Sequence, residues 1–133
     1  FFLSGYLNRM DERQLAWVQE GVDAYKSHVQ PVIGKSKPFW PMGLPGWTDK
    51  VLALGLDAGD RALVTVWSRD SEGGELRLRL NRWHGRAGKA STVYPVEGYT
   101  QWPASWDAAS GELVVTVPSG GGYVSRTFEV NFD

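Results

Sequence analysis

Glu75-Leu76-Arg77-Leu78-Arg79-Leu80 alternates charged and apolar side chains without a break, and that alternation decides the fold. A period of two sends successive side chains to opposite faces of an extended strand. Leu76, Leu78 and Leu80 are therefore expected inside, with Glu75, Arg77 and Arg79 in solvent. The same reading recurs on both sides. Leu113, Val115 and Val117 alternate with Val114 and Thr116. Val124, Phe128, Val130 and Phe132 share a face opposite Ser125, Thr127, Glu129 and Asn131, and Arg126 breaks the apolar side. Upstream, Val51 to Leu56 is an apolar run, Asp57-Ala58-Gly59-Asp60 turns the chain, and Arg61 to Trp67 returns. Ser91 to Val96 is β-branched and aromatic but interrupted by Pro95, which predicts an edge strand. Glycine-rich turns at Gly73-Gly74, Gly85 to Gly88, Ser110-Gly111 and Gly120-Gly121-Gly122 separate these runs at the rhythm of a sandwich. The expected fold is mainly β: an antiparallel β-sandwich, Greek-key-like, preceded by one amphipathic α-helix.

That helix is read from Leu15, Val18, Val22, Tyr25 and Val29, which recur at spacings of three and four and form one stripe. Asp11 stands where an N-cap belongs, with Gln14 three residues on to complete a capping box, and Pro31 is expected to stop the helix. Phe1 to Tyr6 has the length of a buried strand. Between Pro31 and Gly46 prolines and glycines alternate with bulky apolar residues, as in Pro38-Phe39-Trp40-Pro41-Met42-Gly43-Leu44-Pro45-Gly46-Trp47. Disordered linkers lack such aromatics. The stretch reads as a strap packed at the helix–sandwich junction through Phe39, Trp40 and Trp47. The boundary is placed there, with residues 1–37 before it and 38–133 forming the sandwich.

Several function classes are disfavoured at once. A net charge of −1 offers no basic footprint for nucleic acid. No apolar run is long enough to span a membrane as a helix, and the chain has no cysteine for a disulfide framework or thiolate chemistry. A cytoplasmic protein fits this composition, with secretion left open. His28 and His84 have no metal-ligand spacing and read as surface or helix-end residues. The glycine clusters lie between β runs and read as hairpin tips, so no phosphate-binding loop is expected. A retaining glycosidase needs two carboxyl groups about 5 Å apart, whereas nearly all the acids here fall at turns, at the helix start or on polar strand faces. No catalytic residue, cofactor or metal ligand is therefore assigned. The seven tryptophans allow two roles. Trp83, Trp102 and Trp106 near strand ends could stack on a sugar ring, or they could fill the core.

The succession Ser4-Gly5, then Leu15-Ala16-Trp17-Val18-Gln19-Glu20-Gly21-Val22-Asp23-Ala24-Tyr25-Lys26, then the proline–aromatic strap, resembles the C-terminal part of α-galactosidases of glycoside hydrolase family 36. The ending, from Leu113 to Val117 and on to Arg126-Thr127-Phe128-Glu129-Val130, resembles it too. The resemblance implies a longer enzyme with a central (β/α)₈ barrel and a C-terminal β-sandwich. Phe1 to Tyr6 would be the last barrel strand and Asp11 to Gln30 the last barrel helix. The opening in mid-hydrophobic run agrees with a cut inside a longer polypeptide. The catalytic aspartates of such enzymes lie on earlier barrel strands, so none is carried over here. Ser4 and Gly5, at the strand end facing a barrel pocket, and Trp40 and Trp47 are the candidate substrate-binding residues. Two functions follow as expectations. One is a non-catalytic sandwich that stabilises the barrel. The other is a carbohydrate-binding module that grips galactosides through exposed tryptophans. The expected partner is the barrel, with self-association through the helix stripe where the barrel is missing.

Overall fold

The computed structural model describes residues 5–133. The expected strand over Phe1–Tyr6 falls mainly on residues outside that range. Gly5 and Tyr6 lie in no strand, and a short 3₁₀ turn follows at Leu7–Arg9.

Helix α1 spans Glu12–Ala24 and starts as its sequence requires. The Asp11 carboxylate accepts from the Gln14 N–H at 2.7 Å and the Gln14 side chain accepts from the Asp11 N–H at 3.0 Å. Two N–H groups that the first turn would strand are thereby satisfied. Pro31 does not end the helix, contrary to the expectation. A π-type turn, Tyr25–Val29, leads into α2, Gln30–Ile33, with Pro31 inside it. A proline ring clashes with the carbonyl four residues back in a regular helix. The wider turn, in which the Gln30 N–H reaches back to the Tyr25 carbonyl, makes room for it.

The strands are β1 (Lys37–Phe39), β2 (Val51–Asp57), β3 (Arg61–Arg69), β4 (Gly74–Arg79), β5 (Gly88–Tyr94), β6 (Ala104–Asp107), β7 (Glu112–Val117) and β8 (Tyr123–Phe132). They form a five-stranded sheet in the order β1-β2-β3-β8-β5 and a three-stranded sheet in the order β4-β7-β6, every pair antiparallel. The chain changes sheet between β3 and β4, β4 and β5, β5 and β6, and β7 and β8. β5 pairs only with β8, the edge position that Pro95 predicted. The sandwich begins with β1 at Lys37, one residue before the expected boundary.

The core lies between the sheets. Leu78, Leu80, Leu113, Val115, Val117, Phe128 and Val130 are buried as the alternation required, and Leu76 is half-buried against them. Trp83 and Trp102 are core residues too. Trp83 stacks on Phe132 with ring centroids 4.8 Å apart, and Trp106 meets the same ring edge-on at 5.1 Å. Their indole N–H groups donate to the Gly59 and Arg86 carbonyls at 2.9 and 2.8 Å, so neither polar tip is stranded. These three tryptophans serve packing. Phe39 plugs the open side of the sandwich. Its ring occupies the place where a Cβ at Gly55 would stand, and it tilts against Trp83 at 6.0 Å.

The helix docks on the outer face of the larger sheet. Val18, Gly21, Ala24, Tyr25 and Val29 face Val93, Tyr94 and Thr127. Gly21 permits the approach, because a Cβ there would come within 3.2 Å of the Tyr94 ring. The Tyr94 hydroxyl donates to the Trp17 carbonyl at 3.2 Å, and Glu20 accepts from the Val96 N–H. His28 Nδ1 lies 3.3 Å from the buried Glu129 carboxylate, which also accepts from Arg61 at 2.9 Å and Asn131 at 3.2 Å. The strap is elsewhere. It runs past the β1 edge and not along the helix–sheet junction, so its aromatics do not seal that junction as expected.

Burial pushes the Tyr94 phenol above its ordinary value, and Tyr99 and Glu20 add to the shift. The folded state therefore holds this proton more tightly than the unfolded state, whose tyrosines titrate near ~10. The stabilisation is complete below that pH and is lost as pH rises through the folded value. Between pH 9 and 11 the Tm of wild type should fall more steeply than that of Tyr94→Phe. Parallel profiles would show that this hydroxyl does not couple to folding.

Candidate functional site

Two concave surfaces stand out, and the candidate residues divide between them. Trp40 lines the first and Trp47 the second. Gly5 lines neither, and Ser4 lies outside the described residues. The structure therefore does not gather the expected set into one pocket.

The first is a cleft of about 810 Å³ on the open side of the sandwich, where edge strand β1 faces edge strand β4. Lys37 and Trp40 form one wall; Arg77, Arg79 and Arg82 form the other. Asp57 is the one carboxylate among its lining residues and is ion-paired to Arg82. Arg77 is held between Glu75 at 2.8 Å and Glu112 at 3.1 Å. Those hydrogen bonds keep its guanidinium even more firmly protonated than usual. Among the described residues, no carboxylate lies within ion-pair distance of Arg79 or Lys37.

The second is a groove of about 610 Å³ at the end of the larger sheet's outer face that the helix leaves uncovered. Leu52 and Trp67 form its floor, with Trp47 and Tyr123 beside them. Trp47 is 96% exposed and Tyr123 85%, which corrects the expectation that Trp47 is a packing residue. The reason is local. Arg69 holds the backbone by donating to the carbonyls of Trp47 and Asp49, each at 3.3 Å, and Asp49 closes the turn on the Gly46 N–H at 2.7 Å. The loop is fixed through its backbone, and its indole is left outside.

Several carboxylates elsewhere have structural employment. Asp11 caps the helix, and Asp107 accepts from the N–H groups of Ser110 and Ala109; the Ser110 side chain first, and these backbone contacts after it, hold its carboxyl below the usual range. Asp23 accepts from Gln19, and Glu129 is shared as described above. Among the described residues no cluster of His, Cys, Asp and Glu could hold a metal ion. His84 lies against Gly111 at a turn, and His28 belongs to the helix–sheet contact. No helix among the described residues is long and apolar enough to cross a membrane.

Lys37, Arg79, Arg82, Trp67 and Tyr123 were not singled out from sequence. Tyr123 carried a usable signal, since it continues the polar face of β8 and had to point outward. The cationic cleft carried none, because Lys37 stands about forty residues before Arg77, Arg79 and Arg82. Neither a known family model nor a curated protein matches the chain.

Proposed function

We propose that the chain is a non-catalytic β-sandwich module of an α-galactosidase-type retaining glycosidase, and that it stabilises the catalytic barrel. The observation that carries this reading is the helix, which is covered on one side only. Although Val18, Tyr25 and Val29 face the sheet, no residue of α1, the π-type turn or α2 is buried. Leu15 and Ile33 stand 43% and 47% exposed, and Tyr6 and Leu7, just before the helix, are exposed too. Helices draw most of their stability from tertiary packing. One held at half coverage between a sheet and solvent suits a layer between two modules. The family-like motifs, with their implied last barrel helix, name the second module. The structural use of the carboxylates supports a supporting role, and the cysteine-free composition agrees with the cytoplasm.

The test has two arms. The 133-residue chain should show no turnover of an aryl α-galactoside. In the polypeptide encoded by the whole reading frame, Leu15→Glu should lower the Tm of the active enzyme while barely changing that of the isolated chain. Turnover by the isolated chain, abolished by replacing one of its acids, would overturn the reading. So would a reading frame without a barrel.

A second reading, carbohydrate binding by exposed tryptophans, is favoured by the bare faces of Trp47 and Tyr123 beside Trp67. Saturable quenching by galacto-oligosaccharides, lost in Trp47→Ala, would support it.

A further inference from the structure

We propose that the cleft between β1 and β4 binds an acidic saccharide, with a pyranose ring lying on Trp40 and its carboxylate held by Arg79 and Lys37. Charge is the first argument. The whole chain is nearly neutral, with 14 Lys and Arg against 15 Asp and Glu. The cleft gathers four cations, Lys37, Arg77, Arg79 and Arg82, against the single carboxylate of Asp57. Internal pairing accounts for only part of this excess. Arg82 is engaged with Asp57, and Arg77 with Glu75 and Glu112. Glu112 is the cross-strand partner of Arg79, but its ion pair is with Arg77. Arg79 and Lys37 are left as the two charges without a carboxylate, one on each wall.

Shape points the same way. Trp40 is 45% exposed beside these cations, so part of an indole surface is open to a ligand. A guanidinium binds a carboxylate through two parallel N–H donors, and an aromatic face binds the C–H face of a sugar ring. The volume falls within the range of small-molecule sites. Preferring a saccharide to other ring-bearing anions rests on the glycosidase reading above. A nucleotide would use the same two features, so AMP is compared in the same titration.

The test is a titration of the chain with oligogalacturonate, followed by tryptophan fluorescence and by NMR shifts. Saturable binding should perturb Trp40 and the backbone of β1 and β4. Arg79→Gln should weaken it by about ten- to a hundredfold, the value of a charged hydrogen bond. Arg79 is exposed on an edge strand, so the variant should keep the wild-type Tm. Trp40→Ala tests the platform, and the arginine variant keeps the experiment decisive if Trp40→Ala misfolds. A neutral galacto-oligosaccharide of equal length should not compete. The proposal is overturned by absent saturation, by binding that survives Arg79→Gln, or by equal displacement with inorganic sulfate. Tighter binding of AMP at the same residues would also overturn it. The titration needs no barrel, so its failure is separate from failure of the aryl-galactoside experiment.

Discussion

Truncating Phe128 to alanine should cost about 3–5 kcal/mol, the range for a buried aromatic whose cavity cannot collapse. Phe128 is fully buried on β8, opposite Val64 of β3 and Thr92 of β5, so both flanking strands lean on the same ring. A domain of this size has only about 5–15 kcal/mol in total. In urea the midpoint should fall with the slope unchanged, the mark of lost stability without an altered denatured state. A loss below about 1 kcal/mol would be hard to reconcile with a core centred on β8.

Arg126→Ala should be nearly as damaging, by about 2–4 kcal/mol, although it removes a charge from an apolar face. Arg126 is 4% exposed and lies between Tyr99 and Trp102, each ring centroid 5.1 Å from the guanidinium carbon. It donates to the carbonyls of Thr100 and Ser125, both at 2.7 Å. Burial pulls its proton affinity below the ordinary arginine value, with Tyr99 opposing. The effect should spread to the helix, because Tyr99 meets Trp17 in a tilted contact with ring centroids 4.8 Å apart and Arg13 lies over the Trp17 ring. Arg126→Lys should recover little, since a compact ammonium, although it has three donors, lacks the planar guanidinium that reaches the two carbonyls through separate nitrogens while lying beside both rings. Full recovery by lysine would reduce the site to a simple charge.

The contrast between Arg126 and Arg79 shows where sequence reading succeeds. Alternation placed Arg79 outside and Leu78 inside correctly, because a strand's two faces follow from chain geometry alone. The capping box at Asp11 was equally legible, being closed within four residues. Arg126 could be seen only as an interruption of the apolar face. Its explanation lies with Tyr99 and Trp102, on a loop brought near by tertiary folding. β1 is three residues long and contains Pro38; it is a strand because β2 offers an edge, not through its own propensity. The continuation of the helix through Pro31 depended on a change of helical pitch that no local residue announces. The tryptophans were the hardest case. Burial separated Trp83 and Trp102 from Trp47, and burial depends on what the rest of the chain covers. Both concave surfaces join segments distant in sequence, so neither could be read in advance.

The position of β8 has a consequence for vectorial synthesis. It is the inner strand that joins β3 to β5, yet it is made after the other described strands. While the ribosome is still reading the codons for residues 123–132, β1, β2 and β3 can form a meander, but β5 has no neighbour in its sheet. The buried faces of Val64 and Val66 then stay open to other nascent chains. Pairings across such sequence separations form late, because loop-closure entropy is spent before any contact is gained. For this molecule the hazardous interval is the one before residues 123–132 emerge, when a chaperone that shields the β3 edge would matter most.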